Sequence, residues 1–160
     1  MYLDALSFLE DERDAYRPYE QLLDLTDDQL STPVAAANGW SGRDLMGHLV
    51  KWQELALATA KELAVGERSA SKERADAAWG ADDAAGDRIN AEALEEFRAL
   101  PLDEVRERFR TVAGELRGYL TVVPEARWIK HADNQEWFFS ETIEHYEDHR
   151  ADLEAILQSV

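Results

Sequence analysis

The chain has no cysteine among its 160 residues. Disulfides, thiolate zinc sites and cysteine nucleophiles are therefore excluded, and any transition-metal site must be built from His, Asp and Glu. Glycine and proline are scarce, at 8 and 4, so turns are few and the segments between them read with helical periodicity. No run approaches the roughly 18 apolar residues of a membrane span. The first residues, MYLDALSFLEDERD, turn acidic too early for a basic region followed by an apolar core, so no signal peptide is expected. Basic side chains are outnumbered 17 to 34, for a formal net charge of −17. Nucleic acid is disfavoured as a partner, because its non-specific binding comes from Lys and Arg. Anionic membrane surfaces are disfavoured for the same reason. Hydrophobic residues make up 45% of the chain, which is a globular composition. A soluble, cytoplasmic protein of one domain, residues 1–160, is the expectation, with most carboxylates on a hydrated outer face.

A first segment from Tyr2 to Leu25 carries Leu6, Leu9, Tyr16 and Leu23 as a loose apolar stripe, which Pro18 should kink or break. A polar connection leads to the best-marked helix. Ser41 followed by Asp44 resembles a capping box, and Leu45, His48, Leu49, Trp52, Leu55 and Ala56 form one face up to about Gly66. The Ala- and charge-rich stretch from Glu67 to Gly86 reads as a long excursion or frayed helix anchored by Trp79. Helices over about Asp87 to Leu100 and from Pro101 onward follow, the latter with Val105, Phe109, Val112, Leu116 and Leu120 as a core stripe. After a WIKHADNQEW connection, a last helix is predicted over Phe139 to Leu157. Phe138, Thr142, His145, His149, Leu153 and Ile156 are placed on one of its faces. There is no internal repeat and no hairpin signal. An all-α four-helix bundle is expected, with an extra short helix and a long connection after the second helix.

Chemistry rests on four histidines. His145 and His149, four apart in HYEDH, project from one helical face a turn apart, which is how one helix offers two imidazoles to one ion. His48 sits on the apolar stripe of another helix. Were those helices neighbours, three imidazoles would converge, leaving the open position of a catalytic rather than a structural zinc site. Imidazole suits nickel, copper and iron as well. A zincin motif is rejected because Tyr146 stands where its Glu would follow the first His. A di-iron Glu-x-x-His pattern is rejected because Thr142 and Tyr146 precede the pair by three. The bland alternative is a set of hydrogen-bonded core histidines or a decorated helix face. Glu141, one turn before His145, is a candidate proton carrier, and Asp44, one turn before His48, is a candidate base or simply a cap. His131 reads as an exposed loop residue. Trp40, Trp52, Trp137, Phe138, Phe139 and Tyr146 are candidates for an apolar pocket wall, or plain core.

The segment GWSGRDLMGHLVKWQ resembles the second helix of the DinB-like four-helix-bundle superfamily, and ETIEHYEDHRADLEAIL resembles that family's last helix. The stretch DRINAEALEEFRALPLDEVRERF is similar to the ClbS/DfsB branch. The resemblance runs from Leu3 to Leu157 and is weakest over Glu67–Gly86. It implies a divalent metal, zinc or nickel foremost, held by His48, His145 and His149 in the bundle core. Relatives of this kind include transferases and isomerases that use a low-molecular-weight thiol, and a hydrolase that opens a strained ring in a toxic metabolite. A small-molecule substrate and a homodimer are the implied partners. The expected function is thus a detoxifying hydrolase or thiol S-transferase in which the metal activates a water or a thiol, Glu141 moves the proton, and Trp52, Trp137, Phe138 and Tyr146 hold the substrate. The alternative is a non-catalytic binding or sequestering bundle with structural histidines.

Overall fold

Helices begin where a side chain caps them. In the computed structural model, which describes Met1–Val160, Asp4, Thr26, Ser41 and Ser69 each accept a hydrogen bond from the backbone N–H three residues on. Each satisfies a donor that the first helical turn leaves free. The elements are α1 (Ala5–Tyr16), a 3₁₀ stretch (Arg17–Asp24), α2 (Asp27–Ser31), α3 (Gly42–Val65), α4 (Ala70–Trp79), α5 (Ala85–Arg98) and α6 (Leu102–Leu120). A last helical run follows as α7 (Ala132–Phe139), a π-helical turn (Ser140–Glu144), α8 (His145–Asp148) and α9 (Arg150–Gln158). No helix is long and apolar enough to cross a membrane. The all-α bundle expected from the sequence is what forms.

The central helix is α3, which packs chiefly against α6 and also meets α5, α4, the π turn and α9. Ser41 and Asp44 close a reciprocal capping box at its start. Asp44 has a second task, since both its oxygens accept from the Arg98 guanidinium at 2.9 and 3.1 Å. Burial pushes the Asp44 carboxyl up, but Arg98 and Ser41 outweigh it and hold the group below the usual range. Asp44 is thus committed to structure. Arg43 completes the tie by donating to the carbonyls of Phe97, Arg98 and Leu100 at the exposed end of α5. Helices α3 and α5 approach so closely that a Cβ at Gly47 would lie 2.7 Å from that of Phe97. His48, the next residue, inherits this fixed position.

The stripe expected on α6 is buried throughout, from Val105 to Leu120. Pro18 ends α1 as anticipated, and a 3₁₀ stretch continues from there. Two expectations need correction. The stretch after Glu67 forms a regular helix, α4, capped by Ser69, although none of its residues is buried. The last helix starts at Ala132 rather than Phe139, because the His131 ring nitrogen caps it by accepting from Asn134 N–H at 3.3 Å. His131 itself is exposed.

Candidate metal centre and cavity

Three elements deliver the histidines. His48 comes from the second turn of α3, His145 follows the π turn, and His149 sits at the α8–α9 break with φ −95° and ψ 7°. The π turn adds a residue to the helical register. Thr142 Oγ1 donates to the Phe138 carbonyl at 2.6 Å and so occupies an acceptor beside the widened turn. The ligand atoms of the three rings all lie within 4.8 Å of one another. His48 Nε2 and His145 Nε2 are 2.8 Å apart. Each pair of rings meets edge-on, with centroids 4.6 to 4.9 Å apart. The ring nitrogens are thus brought together.

Burial, reinforced by the neighbouring imidazoles, pushes His48 down to about 3 and His145 to about 2. Both rings are uncharged across the physiological range, with a lone pair to give. His149 is oriented from behind: its Nδ1 lies 2.8 Å from Asp152 Oδ2, which leaves Nε2 free. Asp152 Oδ1 in turn accepts from Asn38 Nδ2 at 3.2 Å. Asn38 is able to reach it because it occupies the left-handed region, φ 57°, in the Asn38–Gly39 turn. The same turn delivers Trp40, whose indole stacks on His149 and tilts against His48. Three imidazoles, two held neutral by burial and one backed by a carboxylate, make a donor set that fits a divalent ion. Zinc–nitrogen bonds of about 2.0–2.1 Å place tetrahedral donors roughly 3.3 Å apart, inside the spread seen here.

The three histidines form one end of a cavity of about 580 Å³. Trp52, Trp79 and Trp137 line it, with Asp76, Glu141 and Asp148. Burial, then the charge of Asp76, raises the Glu141 carboxyl to about 7, against a smaller opposite pull from Lys72. Trp52 and Trp137, two of the residues expected to hold a substrate, are among these lining residues. Phe138 and Tyr146 are not. Phe138 is fully buried between Trp128 and Trp137, and Tyr146 is 1% exposed, with its hydroxyl on Glu12 and Gln53. Both are core residues on the far side of the last helix. Phe139 packs on Tyr2, also away from the cavity.

Sequence reasoning missed Asp152, Asn38 and the wall supplied by α4. Only Asp152 left a signal, an acid three residues after a histidine. A family model then decides the broader relationship, matching residues 15–154 under the description mycothiol maleylpyruvate isomerase N-terminal domain. The chain belongs to that family. Its membership bears out the DinB-like superfamily expected from the α3 and last-helix motifs, and carries nothing on the ClbS/DfsB branch. Comparison with curated proteins and with solved structures returns no match.

Proposed function

We propose that the chain is a metal-dependent small-molecule enzyme of the thiol-transferring kind, with detoxifying hydrolysis as the other reaction the same site could run. The observation that carries this is the convergence of three imidazole donors, within 4.8 Å of one another, at the end of a cavity that also holds Glu141. The matched family is named for mycothiol maleylpyruvate isomerase, which favours a low-molecular-weight thiol as co-substrate over water alone. When bound, a divalent ion such as zinc or nickel supplies Lewis acidity that lowers the pKa of a thiol or water.

The protein's own groups define the rest. His48 and His145 stay neutral and unprotonated because burial disfavours their charged forms. Asp152 accepts the Nδ1 proton of His149 and fixes its tautomer. Glu141, poised near 7, takes up a proton from an entering nucleophile and returns it to a product. Trp52, Trp79 and Trp137 exclude water and hold an apolar body.

Metal analysis tests this reading. Purified protein should carry about one ion per chain, and His149→Ala should carry nearly none. A chelator should lower the melting temperature of the parent, since an ion that binds only the folded state stabilises it. The 2.8 Å contact between His48 Nε2 and His145 Nε2 favours a rival, in which the histidines satisfy one another in a non-catalytic binding bundle. That rival requires a melting temperature that ignores both chelator and added metal.

A further inference from the structure

The charges around the cavity are of one sign. Asp76, Glu141 and Asp148 face it, and no Lys or Arg does. Glu141 has only burial and distant charges around it, with no hydrogen bond or ion pair. Asn90 Oδ1, on the same wall, is a buried acceptor without a partner. Cationic side chains are what the lining lacks. A carboxylate-bearing ligand would meet, besides an ion on the histidines, only Lys72, which Asp76 already engages, while a positively charged one would meet an uncommitted carboxylate.

The aromatic side chains point the same way. Indole is the best π-face for a cation. The protein already holds one ammonium group in this manner beside the cavity: Lys72 Nζ lies 5.7 Å from the centre of the Trp137 ring and 2.6 Å from Asp76 Oδ2. Trp137 Nε1 donates to the other oxygen of Asp76 at 3.2 Å, so carboxylate and ring are locked together. Elsewhere on the wall, Trp79 meets Trp52 edge-on at 5.5 Å, stays 49% exposed and has no cation of its own. Gly86 lies against the Trp79 ring, where a Cβ would come within 2.9 Å, which holds the indole in place. Trp79 and Glu141 line the same cavity, and they are the same two kinds of group, an indole and a carboxylate, that hold Lys72.

We propose that the cavity takes a small molecule bearing a cationic ammonium group, seated on the Trp79 indole with Glu141 as its counter-charge. The proposal rests on the reading of this cavity as the substrate site and adds the substrate's charge class. It also separates the chain's substrate from carboxylate-bearing ones, which the cavity wall repels.

Choline, its neutral isostere 3,3-dimethylbutan-1-ol and the anionic 3,3-dimethylbutanoate test it. Each is titrated into full-length protein, with and without zinc, and followed by the indole N–H signals in NMR. Choline should bind roughly tenfold more tightly than the alcohol, as a desolvated cation on an indole face does. The anion should be weakest in the metal-free arm. Glu141→Gln should erase choline's advantage and leave the alcohol unchanged, and Trp79→Ala, at a half-exposed position, should erase it too. Equal affinity for choline and the alcohol overturns the proposal. So does a tighter anion in metal-free protein, an unchanged preference in Glu141→Gln, or no binding of choline. The two readings fail separately: protein that never holds metal but prefers choline refutes the metal enzyme alone, and protein that holds metal without that preference refutes the ammonium site alone.

Discussion

His145 and Tyr146 are neighbours in the chain and belong to opposite sides of the last helix. His145 looks into the cavity with two other imidazoles. Tyr146 looks into the core, where its hydroxyl donates to Glu12 at 3.0 Å and accepts from Gln53 at 3.1 Å. Glu12 is also gripped by Arg117, which lies over the Tyr16 ring, and Tyr19 donates to the Tyr146 carbonyl. Each region holds a carboxylate, fully buried in Glu12 and half-buried in Glu141, but in one the acid is paired and in the other it is not. Glu12 answers to Arg117 and Tyr146, while Glu141 has no hydrogen bond or ion pair, only the charges of Asp76 and Lys72 nearby. A buried polar group with its partners in place specifies the fold. One left facing a cavity without them is available for a ligand.

The sharpest test of that contrast is Glu12→Ala. Removing one member of a buried ion pair leaves Arg117 charged and Tyr146 without its acceptor, which costs about 3–5 kcal/mol. Arg117 is 19% exposed and relaxes partly toward solvent, so the lower end is expected. Chemical denaturation reads the loss. Metal content should be unchanged, because this network shares no residue with the histidine set. Loss of metal from still-folded Glu12→Ala protein would show the two regions to be one.

Glu141→Gln should act in the opposite direction. The folded-state value near 7 lies above the usual carboxylate value of 4.5, so between these pH values the native state holds a proton that the unfolded chain has released. Stability is therefore full below about pH 4.5, falls as pH rises through 7 and levels off above it, the total loss being on the order of 2 kcal/mol for a group in partial contact with solvent. In chelator-treated protein, Glu141→Gln should flatten this slope and be the more stable form at pH 8. A parent protein whose stability is level from pH 5 to 8 would remove the unpaired acid from the comparison.

The contrast also explains what the sequence could and could not reveal. His48 stood out because it interrupts an apolar stripe at helical spacing, and Ser41 with Asp44 because a cap is a local event. His145 and His149 were legible as a pair for the same reason. Phe138 and Thr142 were placed on the histidine face by counting along a regular helix, but Thr142 lies within the π turn at Ser140–Glu144, which adds a residue between Phe138 and His145. That rotates the earlier residues into the core. Nothing in the residues from Ser140 to Glu144 announces such a turn, since its cost is repaid by tertiary packing. The α4 wall was illegible for a related reason: a helix with no buried residue carries no apolar stripe to read.

The smallest effect expected distinguishes a histidine that is merely buried from one that is aimed. Asp152→Asn keeps the shape of the side chain while weakening it as an acceptor for His149 Nδ1–H. If the ring is held in its tautomer to free Nε2, metal affinity should fall 10- to 100-fold, as when other carboxylates behind ligating imidazoles are changed. The melting temperature of metal-free protein should hardly move, because Asp152 is bonded only to Asn38 and His149. Asn38→Ala should weaken the metal less, since it acts on His149 only through Asp152. The double variant should then match Asp152→Asn alone, the non-additivity that marks two residues in one chain of contacts. Were the two losses simply to add, Asn38 would be acting through the turn that delivers Trp40, and the orientation of His149 would belong to the stacked indole instead.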